Sequence, residues 1–151
     1  MKPFQLSERS LSRLEGVNRE LVNVVTDAIK ISTIDFGVVQ GLRTPAEQAA
    51  LVAKRASKTM KSKHLDGLAV DLMAYLNGRA SWELTLYDNI ADAMRKAAIA
   101  NNVPLRWGAA WHKPLTEWDG SAEDLMNEYI DLRRSQGKRP FIDAPHFEML
   151  L

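Results

Sequence analysis

The segment Leu68-Ala69-Val70-Asp71-Leu72-Met73-Ala74-Tyr75 reads as a β-strand. Gly67 permits a tight turn before it, and Asn77-Gly78 is a turn signal after it. Side chains alternate across a strand, so Val70 and Leu72 share one face while Ala69, Asp71 and Met73 share the other. Asp71 is therefore a carboxylate among apolar neighbours, which is costly unless a cation or hydrogen-bond donors compensate it. His64 ends the basic loop before Gly67. A loop followed by a strand can return His64 over the Asp71 side chain, offering one nitrogen and one oxygen to a divalent metal.

Upstream, Glu8 to about Lys30 places Leu11, Leu14, Val17, Leu21, Val24, Val25 and Ala28 at helical spacing, with Ser7 as cap. Ile34–Gln40 reads as a strand. Thr44-Pro-Ala-Glu47 joins a capping box to a proline at the first helical position and opens a short helix to about Arg55. Downstream, Ser81 is expected to cap a helix carrying Trp82, Leu86, Ile90, Ala93, Met94 and Ala97, which ends at Asn101-Asn102. Leu105–Trp107 reads as a short strand, Ser121 to about Arg134 as a helix, and Pro145–Leu151 as a last strand. Helices and strands mix without strict βαβ alternation, so the expected class is α+β with a small, largely antiparallel sheet flanked by helices.

The 151 residues suffice for one domain with a sizeable core, and no internal repeat or Pro/Gly/Ser-rich linker divides them. The expectation is a single domain over 1–151. A formal net charge of +1 gives no case for nucleic acid or an anionic membrane as partner. Basic clusters occur at Lys54, Arg55, Lys58, Lys61 and Lys63, and at Arg133, Arg134, Lys138 and Arg139. They read as solvated faces, or as weak attraction to an anionic polymer. The absence of cysteine excludes disulfides, thiolate metal sites and cysteine nucleophiles, so any metal must sit on His and carboxylate ligands. The N-terminus carries no apolar core of a signal peptide, which leads to the expectation of synthesis in the cytoplasm. No stretch approaches the length of a membrane span, so no membrane insertion is expected.

The chain has three histidines. The second in the cluster of interest lies in Asp143-Ala-Pro145-His146-Phe-Glu148, where Pro145 stiffens the entry to the last strand. Three ligands from His64, Asp71 and His146, with a fourth position left to water, suit a catalytic rather than a structural metal site. Asp143, three residues before His146, is a candidate proton acceptor. A histidine before a strand is also what a hydrogen-bonded core or surface residue looks like, and an aspartate in an apolar strand is commonly paired with arginine. Spacing alone leaves Asp66 and Glu148 as alternative ligands.

Ser62-x-His64-x-x-Gly67-x-Ala69-x-Asp71 resembles the signature of the zinc D-Ala-D-Ala carboxypeptidase and L-alanyl-D-glutamate peptidase family. Gln40-Gly-Leu-Arg43-Thr-Pro and Asp143-x-x-His146 resemble two further motifs of that family, in the family's order, so the likeness runs from about Gln40 to Leu151. It implies a hedgehog/D,D-peptidase-like fold and one zinc ion on His64, Asp71 and His146. It further implies Asp143 as the base that takes a proton from an attacking water and delivers one to the leaving amine. Arg43 would bind substrate and face the scissile carbonyl, and Ser62 would hold a substrate carboxylate or order the loop. The substrate implied is bacterial peptidoglycan.

Within the family, QGLRT, SKHLDGLAVD and RWGAAW look most like phage L-alanyl-D-glutamate endopeptidases. Small size and the absence of a signal peptide and of cysteine fit such an endolysin, held in the host bacterial cytoplasm until a holin-type release. No separate wall-binding module is visible, unlike in many modular endolysins, and a monomer is expected. A D,D-carboxypeptidase is the alternative among enzymes. An inactive wall-binding domain is the alternative of another class, although every ligand and the base are present. Ala110 stands where some relatives carry an acid. Trp107, Trp111, His112 and Trp118 form an aromatic loop that either walls a substrate groove or packs inward, with Trp107 in the core and His112 solvated. The segment Asp119–Lys138 is either a flap over the cleft or a surface helix.

Overall fold

The computed structural model describes residues 3–55 and 62–150. Lys58, Lys61 and Leu151, named above in a basic cluster and the last strand, lie outside the described residues.

The segment expected as one helix from Glu8 is two, α1 (Glu8–Arg13) and α2 (Arg19–Ile31). The chain turns at Gly16, and Asn18 then caps α2 by accepting from Glu20 N–H. The break turns Leu11 to solvent, 49% exposed, while Leu14, Val17 and the α2 face Leu21, Val24, Val25 and Ala28 stay buried. Helix α1 lies on β1 (Asp35–Gln40), and buried Ser10 Oγ accepts from Val38 N–H at 2.9 Å. The expected capping box is in place: Thr44 and Glu47 bond reciprocally at the start of α3 (Pro45–Ala53).

A 3₁₀ turn over Lys63–Asp66 follows, capped by Ser62 and ended by Gly67 in the left-handed conformation at φ 70°. A Cβ on Gly67 would lie 2.6 Å from Gly16 O, so conformation and space both demand glycine there. Next come β2 (Ala69–Leu76) and β3 (Arg79–Ser81), joined at Asn77-Gly78, where both residues have positive φ as a two-residue hairpin turn needs. Strand β3 replaces the expected helix cap at Ser81. Its residue pairs with Ala74, its carbonyl accepts from Tyr87 Oη at 2.9 Å, and α4 (Leu84–Ala100) begins only after Glu83. Trp82 accordingly sits outside the helix, 69% exposed. Strand β4 (Leu105–Trp107), helix α5 (Ala122–Ser135) capped by Ser121, and strand β5 (His146–Met149) complete the chain.

All strand pairs are antiparallel, in the order β1-β2-β5-β4. Strand β2 is central: β1 pairs along one edge, while β5 and β3 divide the other at residues 69–71 and 74–76. One sheet face carries Phe36, Val38, Val70, Leu72, Ala74 and Phe147 into the core against α4, on which α2 packs in turn. Trp107 and Phe147, register partners stacked at 6.4 Å, are both fully buried, and each such side chain contributes roughly 1.5–3 kcal/mol. Of the two readings of the segment Asp119–Lys138, helix α5 fits the surface helix, with one face exposed and the other buried. It seats Ala122, Leu125, Met126 and Tyr129 in the core and packs on α4.

Candidate metal centre

The sheet face opposite the core brings the polar residues together. Alternation along β2 turns Asp71 away from Val70 and Leu72, and His146 is its register partner on β5, so both side chains project from the same face. The turn that Ser62 and Gly67 bound lays His64 over them. His64 Nε2 is 3.3 Å from Asp71 Oδ2, and His146 Nδ1 is 3.0 Å from Asp71 Oδ1. The two imidazoles meet edge to face, with centroids 5.2 Å apart.

Each histidine is oriented by a second partner. His64 Nδ1–H donates to Gly41 O at 2.9 Å, and Arg43 N–H donates to His64 O at 2.9 Å, so the turn and the loop after β1 are laced together. A ring that donates from Nδ1 turns an Nε2 lone pair toward Asp71. Two acceptors facing each other at 3.3 Å call for a proton or a cation between them. His146 lies between Asp71 and Glu148, whose Oε1 is 2.8 Å from Nε2. Burial works against its charged form, but the hydrogen bonds to Asp71 and Glu148 outweigh it and raise its pKa to about 9. Burial likewise opposes the Asp71 charge, and the bonds from His146 and His64 outweigh it, holding the carboxyl well below the usual range.

Around this group stand the other residues named from sequence. Arg43 is buried, with Nη2 3.9 Å from Asp71 Oδ2. Its Nη1 donates to Gln48 Oε1 at 2.6 Å and to Ser62 Oγ at 3.5 Å. Ser62 Oγ also accepts from His64 N–H at 3.2 Å. Asp143 is held by its backbone: its N–H donates to Gly108 O, and Gly108 N–H donates to His146 O, both at 2.7 Å. A Cβ on Gly108 would lie 2.2 Å from Asp143 O and 2.9 Å from His146 Cβ. Burial first, and then the charge of Asp71, raise the Asp143 pKa.

Several expectations resolve differently. Asp66 is exposed and is not part of the group. Glu148 meets the His146 nitrogen that points away from Asp71. Trp107 is in the core, as one reading had it, but His112 is not solvated. It binds Glu128 at 3.0 Å and packs on Tyr129. Trp111 stacks on His146 at 5.5 Å and on the exposed Phe141 at 5.9 Å. Gln48, fully buried just inside the capped helix α3, was not singled out from sequence, and no sequence pattern marks it.

Among the described residues, His64, Asp71 and His146 form the group that could hold a metal ion, with ligand atoms within 4.8 Å of one another. Tetrahedral bonds of about 2.0–2.2 Å place neighbouring ligand atoms about 3.3–3.6 Å apart; the His64–Asp71 distance of 3.3 Å falls in that span and the His146–Asp71 distance of 3.0 Å a little below it. Three ligands of this kind leave a fourth position for a non-protein ligand.

The same arrangement accompanies a clear likeness to known proteins. The L-alanyl-D-glutamate peptidase of Escherichia phage T5 is 34% identical over 113 residues, covering 72% of this chain and 82% of that protein. The crystal structure of the Serratia marcescens L-Ala D-Glu endopeptidase ChiX superposes with a TM-score of 0.74 at 32% identity, covering 98% of this chain and 91% of that one. The family model for phage L-alanyl-D-glutamate peptidase matches residues 2–150, which takes in every element and every site residue described. The chain belongs to the phage L-alanyl-D-glutamate peptidase family.

Proposed function

We propose that this chain is a peptidoglycan-degrading zinc peptidase that hydrolyses the L-Ala–D-Glu bond of the stem peptide as a phage endolysin. The observation that carries the reading is the convergence of His64, Asp71 and His146 on one point of the sheet face, with Arg43 and Asp143 beside it. Two imidazoles and a carboxylate suit zinc and other divalent ions alike, and family membership is what favours zinc. When bound, the ion acidifies a water and polarises the scissile carbonyl.

The chain's own residues supply the rest. Asp143 accepts the proton of the attacking water, and burial keeps its carboxyl a stronger base than a free aspartate. The hydroxyl adds to the L-Ala carbonyl carbon, and Asp143 returns the proton to the departing D-Glu nitrogen as the C–N bond breaks. Arg43, aimed by Gln48 and Ser62, faces the developing oxyanion, and one such donor is typically worth about 3–4 kcal/mol of barrier. Trp111 and Phe141 form one wall of the substrate approach. Since one chain supplies every member of the site, a monomer made of one catalytic domain suffices, reaching the wall after a holin-type release.

Digestion of purified peptidoglycan followed by mass spectrometry of the muropeptides tests the reading. Muramyl-L-Ala products and stem fragments beginning at D-Glu are expected. Release of free D-Ala with the L-Ala–D-Glu bond intact would replace it with a carboxypeptidase.

A further inference from the structure

His146 is gripped at both ring nitrogens. Asp71 reaches Nδ1 from across the ladder, whereas Glu148 stands two residues along β5 on the same face and reaches Nε2. Glu148 is buried, and a buried carboxylate in a strand is costly unless it is compensated. Its compensation falls on one oxygen. Lys63 Nζ is 3.4 Å and Arg106 Nη1 3.9 Å from Oε2, which leaves Oε1 to the ring at 2.8 Å. Arg106 is the register partner of Glu148 on β4, and Lys63 adjoins His64 in the turn before β2. Flanked by two cations, an ionised Glu148 can only accept a hydrogen bond. Nε2 must then carry a hydrogen, and in the neutral ring the lone pair is confined to Nδ1, the nitrogen facing Asp71.

We infer that Glu148 is a positioning residue of the metal centre. By accepting from His146 Nε2–H it fixes the tautomer and rotation of the ring, so that Nδ1 is presented to the ion shared with Asp71 and His64. Lys63 and Arg106 hold Glu148 in place for that task. Glu148 serves the ligand rather than joining the ligands, because it lies on the opposite side of the ring from Asp71. The inference rests on the reading of His146 as a metal ligand. Outer partners of this kind typically contribute about 10–100-fold in metal affinity.

The test is competitive chelator titration of zinc into wild type, Glu148→Gln, Glu148→Ala and His146→Ala, with nitrogen-15 NMR of His146 in the zinc-loaded wild type. The wild type is expected to show zinc on Nδ1 and a proton on Nε2. Glutamine keeps the shape but lacks the charge and can also turn its amide donor to the ring, so about tenfold weaker zinc binding is expected. Alanine is expected to weaken it about 100-fold. Circular dichroism of the metal-free variants separates these losses from misfolding. Should the alanine variant fail to fold, the glutamine titration and the wild-type spectrum still decide. Wild-type affinity in both Glu148 variants beside lost binding in His146→Ala would overturn the inference alone, as would zinc on Nε2. Unchanged binding in His146→Ala would overturn the ligand assignment beneath it.

Discussion

Asp71 and His146 are register partners across the β2–β5 ladder, and their side chains meet at 3.0 Å on the sheet face turned away from the core. The pairing makes the candidate metal centre a property of strand register. A slip of one residue would send Asp71 into the space of Val70 and Leu72.

Ligand and base variants should separate. His64→Ala, Asp71→Asn and His146→Ala are expected to lose zinc and to cut wall hydrolysis by more than about 100-fold, beyond the range of outer-partner changes. Asp143→Asn is expected to retain one zinc per chain while turnover falls by about 10²–10⁴. Elemental analysis beside turbidity clearing of purified walls checks both. Loss of zinc in Asp143→Asn would place that residue among the ligands.

Metal uptake should depend on pH through His146. Its folded pKa of about 9 stands above the ordinary 6.5, so the ring is charged at neutral pH in the metal-free protein. The stability that this charge brings is fully present below about 6.5 and is lost as pH rises through about 9, on the order of 3 kcal/mol. Zinc must displace that proton, so apparent affinity should rise by up to about tenfold per pH unit below about 9. Isothermal titration in buffers of differing ionisation enthalpy reads the released proton. Affinity flat between pH 6.5 and 9 would contradict it.

Gly108 is expected to tolerate no side chain. The added methyl of Gly108→Ala would press on Asp143 O and His146 Cβ together, costing about 1–3 kcal/mol and displacing the proposed base and the proposed ligand at once. Chemical denaturation and zinc titration should therefore fall in the same variant. A melt and affinity like the wild type would show that the segment yields without consequence.

Away from the site, Asp88 on α4 has its pKa pushed up to about 6 by burial and by the charges of Glu123 and Asp92. A carboxyl with a raised folded pKa favours the fold when protonated. Stability is therefore expected to fall as pH rises from about 4 through about 6. Asp88→Asn should stabilise the protein at pH 7.5 by on the order of 1 kcal/mol and flatten that dependence. A lower melting temperature than the wild type at pH 7.5 would show that the ionised form is compensated.

Much of this was legible in the sequence because it is local or ordered. The alternation around Asp71, the Gly67 turn, the capping box at Thr44 and the order of the three motifs all point to the arrangement found. What was not legible depends on which segments meet. Glu148 stands as a rival ligand in the sequence because spacing alone does not exclude it. Only the register with Arg106 and the approach of Lys63 assign it to the far ring nitrogen. The break between α1 and α2 was hidden because Leu14 and Val17 stay buried across it, so apolar periodicity continues through a turn. Ser81 has the chemistry of a cap, but pairing with Ala74 in β3 uses its backbone first. Gln48 is invisible to pattern because its partner Arg43 lies outside the helix that carries it.

The most direct measurement titrates zinc into metal-free protein acting on purified peptidoglycan and counts new D-Glu amino termini after each addition. The account predicts none without metal, a linear rise, and a break at about one zinc per chain. D-Glu termini released by protein verified as metal-free, or none at any zinc level, would contradict it.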